Sequence, residues 1–115
     1  MWHGFADQLI MPEGSILYYD SVANTMGGYD ALQPWYRFFL APGNAHCGGG
    51  AGHQPQALFQ RVVDWVENGA APDTILATRT VNNVAQSRPL CPYPKFARYS
   101  GSGDVNVASS YVCAP

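Results

Sequence analysis

The sequence predicts an α/β fold and, within that class, the last part of a sheet rather than a complete one. Two helical segments alternate with two apolar strand segments along 115 residues, the order expected where helices cover a sheet. Two strands and two helices cannot close such a sheet. Charged residues make up only 12% of the chain, about half of the usual share, so we expect further chain to cover part of its surface.

Two helices are predicted from apolar residues at helical spacing. The first runs from Ile16 to Met26, with Ser15 as its N-cap and Gly27 just beyond its end. The second is predicted to begin at Pro55, because proline suits the first turn of a helix, and to end at Gly69. Its expected apolar face consists of Leu58, Phe59, Val62, Val63, Trp65 and Val66.

Two strands and several irregular segments complete the prediction. Trp35–Leu40 is short, aromatic and nearly all apolar, which indicates a buried strand whose rings serve the core rather than a ligand. Thr74–Val81 is β-branched and alternating, which indicates a second strand. Residues 1–10 and the glycine-rich segment Asn44–Gly52 are predicted to be loops. The chain beyond Gln86 is predicted to be an irregular tail.

Charge and hydropathy exclude two classes of partner. The formal net charge is −2 and the six basic residues are scattered, whereas a nucleic-acid-binding protein needs a basic footprint. No apolar run approaches the roughly 18 residues that a membrane-spanning helix needs. The first residues have neither a basic segment nor a long apolar segment, so no signal peptide is visible in the chain.

The three cysteines predict one disulfide and leave one thiol over. Cys91 precedes a proline-rich turn and Cys113 lies near the C-terminus, so we expect them to pair and to fasten irregular chain, as in secreted proteins. The odd count leaves Cys47 free or paired outside the chain. No cysteine or histidine spacing matches a usual metal site.

Asp7 and His46 are the candidate catalytic residues. Both lie on predicted loops, and His46 follows a predicted strand, the position where α/β sheets carry functional groups. Serine hydrolases with the α/β-hydrolase arrangement place their triad in the order Ser, Asp or Glu, then His, and this chain supplies the last two in that order. Asp7 would orient the imidazole, and His46 would act as the base.

Other interpretations of the same segment are weaker. His46, Cys47 and His53 could be proposed as a zinc site, but their spacing is unusual for zinc. The glycines from 48 to 52 could cradle a phosphate, but no Lys-Ser/Thr pair follows them. A flexible loop that lets His46 approach its partners explains the glycines better. His3 lies close to Asp7 in sequence and could contact a substrate or hydrogen-bond the loop, and we expect the second.

Five segments resemble the C-terminal end of the tannase and feruloyl esterase family: His3–Ile10, Phe38–Gly43, His46–Gly50, Ala71–Ile75 and Arg88–Pro94. They occur in the same order as in the family, and they span nearly the whole chain. The resemblance implies that residues 1–115 are the C-terminal segment of an α/β-hydrolase domain. It also implies a serine-type carboxylic ester hydrolase that acts on aromatic esters of the feruloyl or galloyl type.

The resemblance assigns roles to the candidate residues. Asp7 corresponds to the triad acid and His46 to the triad base. Cys47 corresponds to a half-cystine whose partner precedes the nucleophilic serine, which accounts for the odd cysteine. The family also closes its C-terminus with a disulfide, in agreement with a Cys91–Cys113 pair. The full-length protein is then expected to be secreted or periplasmic.

The chain departs from the family pattern in one respect. No cysteine is followed by serine, and no Gly-x-Ser-x-Gly sequence is present. The nucleophile and the oxyanion hole are therefore expected to lie outside the chain, together with the lid domain and its calcium site. We expect no cofactor or metal in the chain itself, and no activity from the chain alone. A stand-alone non-catalytic binding module and one subunit of a two-chain esterase remain the alternatives.

Overall fold

A computed structural model describes residues 1–115 and shows helices mixed with three small sheets. The order of elements is β1 (Trp2–Gly4), α1 (Pro12–Met26), α2 (Tyr29–Leu32), β2 (Phe39–Ala41), β3 (Gln54–Pro55), α3 (Leu58–Asn68), β4 (Ile75–Val81), β5 (Val84–Leu90), β6 (Phe96–Tyr99) and β7 (Tyr111–Ala114). A short 3₁₀ turn, Ala108–Ser110, precedes β7.

The strands β1 and β2 form a parallel pair in which Trp2 lies opposite Phe39 and Gly4 opposite Ala41. The loop predicted for residues 1–10 is therefore wrong at its start, because three residues are too few to show an alternating pattern. The strand predicted at Trp35–Leu40 is shorter and lies toward the C-terminal end of that segment, because β2 spans Phe39–Ala41. Trp35 instead donates its N–H to Leu32 O as the chain leaves α2.

Both long helices end where predicted and begin elsewhere. Helix α1 begins at Pro12, three residues before the predicted N-cap, so Ser15 lies inside the helix. It ends at Gly27, which has a φ of 93° and donates its N–H to Ala23 O. Helix α3 begins at Leu58 rather than at Pro55, because Pro55 belongs to β3 and lies opposite Ala77 of β4.

The predicted irregular tail is largely β-structure. Strands β4 and β5 form an antiparallel hairpin from the Ile75–Leu90 pair to the Val81–Val84 pair. Asn82 and Asn83 make its two-residue turn with φ of 50° and 62°, a conformation that asparagine tolerates. We missed β5 because its register depends on β4.

A disulfide and a second hairpin organise the C-terminus. Strands β6 and β7 pair antiparallel, and Cys91 and Cys113 are joined with their Cα atoms 5.6 Å apart. The disulfide ties the chain just after β5 to β7. The C-terminal part is therefore ordered by strand pairing as well as by the crosslink.

Strand β2 lies between two hydrophobic clusters. Phe39 and Ala41 pack with Ile75, Ala77 and Leu90 on one side, and Phe38 packs with Tyr19, Ala23 and Leu32 on the other. The core prediction for the aromatic segment is thus confirmed for Phe38 and Phe39, which are buried, and wrong for Trp35, which is exposed.

Helix α3 carries an apolar stripe that nothing in the chain covers. Phe59 is 81% exposed and Val66 79% exposed, and Val62 lies between them on the same face. We call Phe59, Val62 and Val66 the α3 stripe. No helix is both long enough and apolar enough to cross a membrane.

Candidate active site

The site forms where the two parallel strands end side by side. Phe5 N donates to Ala41 O at 2.9 Å, and Ala6 N donates to Asn44 O at 2.9 Å, so the loop after β1 is bonded to the loop after β2. A Cβ atom on Gly4 would lie 2.6 Å from Ala45 O, so no other residue fits this crossing without displacing backbone. The close approach brings Asp7 and His46 together, although 39 residues separate them.

Asn44 holds the second loop in place, and sequence reasoning did not single it out. Its side chain is completely buried, and Nδ2 donates to His53 O at 2.8 Å. Its own N–H donates to Ala41 O, and its carbonyl accepts the N–H of Ala6. An asparagine beside a glycine-rich loop is a recognisable turn-stabilising signal, but its partner across the loop was not predictable.

Asp7 is buried, and its carboxylate accepts four hydrogen bonds within the chain. Oδ1 accepts the N–H groups of Leu9 at 2.8 Å and Ile10 at 2.9 Å. Oδ2 accepts from a ring nitrogen of His46 at 2.9 Å and of His3 at 3.0 Å. Burial by itself raises the pKa of Asp7, but these hydrogen bonds outweigh it and hold that pKa well below its usual range. Asp7 is therefore ionised at neutral pH.

His46 presents one ring nitrogen to Asp7 and the other to solvent. Nδ1 lies 2.9 Å from Asp7 Oδ2, and the ring is 32% exposed. Because an ionised carboxylate only accepts hydrogen bonds, Nδ1 carries the proton in the neutral ring. Nε2 then has a free lone pair, and it forms no hydrogen bond within the chain. An imidazole held in this way is arranged to accept a proton.

His3 lies on the other side of the same carboxylate. Its Nε2 is 3.0 Å from Asp7 Oδ2 and 3.1 Å from Ile10 O, and its Nδ1 is 2.7 Å from Ser15 Oγ. The expectation that His3 hydrogen-bonds the loop is confirmed by the Ile10 contact. Its contacts with Asp7 and Ser15 were not predicted, because the first depends on the path of the loop after β1 and the second needs helix α1 to pack against β1.

Asp7 and His46, which we call the dyad, line a cleft of about 220 Å³. The residues that line it are Trp2, His3, Gly4, Asp7, Ile10, His46 and Cys47. Cys47 has a φ of 57°, and its thiol is free and exposed. The cysteine predicted to lack a partner in the chain therefore lies beside the histidine, at the cleft.

The alternative uses of the loop find no support. No group of three His, Cys, Asp or Glu side chains is placed to hold a metal ion. In the glycine loop, the Gly49 N–H that a phosphate would need is already hydrogen-bonded. The Gln54 amide accepts this N–H at 3.0 Å and donates to Gly49 O at 2.9 Å. His53 is set apart from the cleft, and burial together with Arg79 and Arg88 lowers its pKa.

Relatives of the chain are esterases and hydrolases. It is 47% identical to a probable feruloyl esterase of Arthroderma benhamiae, over 98% of this chain and 22% of that protein. It is 38% identical to the mono(2-hydroxyethyl) terephthalate hydrolase of Piscinibacter sakaiensis, over 99% of this chain and 19% of that protein. The crystal structure of an esterase from Aspergillus oryzae superposes with a TM-score of 0.88 at 34% identity, over 98% of this chain and 26% of that one.

These matches cover the chain almost completely, but the chain spans only about a fifth to a quarter of the length of the relatives it matches. The family model described as tannase and feruloyl esterase matches residues 1–114. The resemblance seen in the sequence is thereby confirmed. The chain belongs to the tannase and feruloyl esterase family.

Proposed function

We propose that residues 1–115 are the C-terminal segment of the α/β-hydrolase domain of a longer, secreted serine esterase. In this proposal Asp7 is the acid and His46 the base of a catalytic triad, and the nucleophilic serine lies outside the chain. The observation that carries the proposal is the 2.9 Å contact between Asp7 Oδ2 and His46 Nδ1, combined with the unpartnered His46 Nε2 at the cleft.

The geometry supports a two-step acyl transfer. His46 Nε2 takes the proton of the serine hydroxyl as its oxygen attacks the ester carbonyl, and Asp7 stabilises the imidazolium that forms. Nε2 then returns that proton to the leaving alcohol oxygen as the ester bond breaks. In the second step a water molecule loses a proton to Nε2 as its oxygen attacks the acyl carbonyl. The bond from the carbonyl to the serine oxygen then breaks, Nε2 returns the proton to that oxygen, and the acid leaves. The proposed steps use side chains and water and need no cofactor.

Three observations support a serine that lies in further chain. The sequence has no Cys-Ser and no Gly-x-Ser-x-Gly, while two of its relatives are each four to five times as long as the chain. Strand β1 pairs only with β2, so its other edge is open. The α3 stripe is exposed, and a contiguous apolar surface of this kind is normally covered in a stable protein.

Cys47 and the disulfide support two finer parts of the proposal. The free Cys47 thiol borders the cleft, where a cysteine next to the serine would meet it and form a disulfide. The Cys91–Cys113 bond favours an oxidising compartment and hence a secreted or periplasmic protein.

The substrate class is proposed from the relatives. Feruloyl esters and mono(2-hydroxyethyl) terephthalate, the substrates in the names of two relatives, are both esters of an acid that carries an aromatic ring. We therefore propose an aromatic carboxylic ester as the substrate of the complete protein.

The test begins with the coding sequence upstream of Met1, which should encode an in-frame Cys-Ser segment. The complete protein should hydrolyse a feruloyl ester, and His46→Ala should lower kcat by about 10³-fold or more, since a triad histidine contributes at least this much. His53→Gln is the matched control, because His53 lies outside the cleft. It should retain most of the activity.

Two results would contradict the proposal. Hydrolysis by the purified 115-residue chain that disappears in His46→Ala would show that the serine is not needed from outside. Full activity of His46→Ala in the complete protein would remove His46 from the triad. Activity restored by mixing the chain with a separately expressed N-terminal part would favour the two-chain alternative.

A further inference from the structure

His3 and Ser15 form a second chain of hydrogen bonds that ends on the proposed triad acid. Ser15 Oγ lies 2.7 Å from His3 Nδ1, and His3 Nε2 lies 3.0 Å from Asp7 Oδ2. That oxygen is the one that accepts from His46 Nδ1 at 2.9 Å. Two imidazoles therefore share one carboxylate oxygen, one from strand β1 and one from the loop after β2.

The surroundings of His3 determine where its proton lies. Nε2 faces Asp7 Oδ2 and Ile10 O, the latter at 3.1 Å, and an ionised carboxylate and a carbonyl can only accept. Nε2 must therefore carry the hydrogen. Nδ1 of the neutral ring then has a lone pair, which accepts the Ser15 hydroxyl hydrogen. Ser15 thus selects the tautomer of His3 that can donate to Asp7.

The hydrogen bond from His3 to Asp7 Oδ2 matters because few other groups restrain that oxygen. The backbone N–H groups of Leu9 and Ile10 both bind Oδ1 and leave rotation of Oδ2 to be restrained by side chains. His3 is mostly buried, with its side chain 12% exposed, whereas the His46 ring must stay accessible for proton transfer. Of the two histidines that bind Oδ2, only His3 is free of the proposed proton transfer, so His3 can restrain this oxygen throughout the reaction.

We propose that Ser15 and His3 are positioning residues for Asp7. They hold Oδ2 in the orientation that directs His46 Nε2 into the cleft. The proposal rests on the function proposed above and adds two residues to it. Neither residue touches the reacting atoms, so their loss should lower kcat and leave KM nearly unchanged.

The test uses four variants of the natural protein that contains this chain. Ser15→Ala removes the hydroxyl and favours helix α1, since alanine is the best helix former, so the variant should stay folded. Ser15→Thr retains a hydroxyl. His3→Phe keeps an aromatic ring without a donor. Ser21→Ala is the matched control, because Ser21 is exposed on the same helix.

We expect graded losses of kcat with a feruloyl ester. His3→Phe should lower it by about 100-fold and Ser15→Ala by about tenfold, because small misplacements of a catalytic group have effects of this order. Ser15→Thr should restore most of the loss, and Ser21→Ala should match the parent. Normal kcat in both His3→Phe and Ser15→Ala would overturn the proposal.

A second measurement separates this proposal from the function it rests on. The carboxyl carbon of Asp7 is titrated by NMR, and His3 and His46 are the two titratable side chains that contact it. Loss of the His3 donor should raise the pKa of Asp7, because that hydrogen bond helps to lower it. An unmoved Asp7 titration in His3→Phe would overturn the positioning role. If the parent shows no hydrolysis that depends on His46, the proposed function fails, and the titration still decides whether His3 restrains Asp7.

Discussion

The corner that carries Asp7 and His46 and the C-terminal hairpins are built in different ways. The site corner has two strands of three residues each, and loop-to-loop hydrogen bonds supply much of its order. The C-terminal hairpins have a seven-residue pair, β4 with β5, and a four-residue pair, β6 with β7, joined by a disulfide. Their order comes from long strand pairing and a covalent bond within the chain.

The difference indicates which part would need further chain under the proposed function. The C-terminal hairpins make most of their strand pairing within residues 75–114, and only the two residues of β3 add to the other edge of β4. The site corner instead leaves one edge of β1 open, and its histidine faces a cleft that no serine lines. The longest strand pairing and the crosslink are therefore in one region, while the proposed chemistry uses the other region. Variants in the two regions should consequently affect different measurements.

The largest effect is expected from removal of the disulfide. The double variant Cys91→Ser, Cys113→Ser should lower the free energy of unfolding by about 3 kcal/mol, because the bond closes a loop of 22 residues. Urea unfolding of the double variant and of the parent with its disulfide intact measures this difference. Cys47→Ser in the 115-residue chain is the control, since that thiol is free and exposed. An equal loss in both variants would erase the contrast between the two regions.

A smaller effect is expected at the α3 stripe. In the complete protein Phe59→Glu should lower the free energy of unfolding by about 2 kcal/mol, the order expected for exposing a buried phenylalanine. In the 115-residue chain, where Phe59 is 81% exposed, the same change should raise solubility and alter stability little. Asn68→Asp adds the same charge at an exposed position of the same helix and serves as control. A Phe59→Glu variant that is neutral in the complete protein would mean that the stripe stays uncovered.

The smallest effect is expected at the β4–β5 turn. Asn83 has a φ of 62°, so Asn83→Ala should cost about 1 kcal/mol, while Asn83→Gly should be neutral or slightly stabilising. Thermal unfolding measures both variants. Because no residue of this turn lines the cleft, esterase kinetics of the complete protein should not change. A drop in kcat with either variant would show that the hairpin and the site corner are coupled.

Short-range patterns were the most accurate part of the sequence prediction. Gly27 and Gly69 end their helices because glycine adopts the left-handed conformation found at both positions. The start of the first helix was misplaced by four residues and that of the second by three. The pattern around Pro12 and Pro55 suits a helix start equally well, and only the pairing of Pro55 with β4 distinguishes them.

Asp7 and His46 of the candidate site were predictable from the sequence, whereas most of the hydrogen bonds that hold the site were not. Asp7 and His46 were chosen from their loops and their order in the chain, and the structure brings their side chains into contact. Their catalytic roles stay predictions. Asn44, which holds the loop, and His3, which shares the carboxylate, act through partners that are distant in sequence or lie on another element.

The sequence by itself determined the family, the helix ends, the pairing expected for two cysteines and the two residues of the proposed dyad. Each of these follows from residue types at short or fixed spacing. Only the tertiary structure decided that residues 2–4 are a strand, that β5 pairs with β4, and that two histidines meet at one oxygen of Asp7. The physical reason is that strand pairing and convergent hydrogen bonds join residues that are far apart in the chain, so no local pattern contains them.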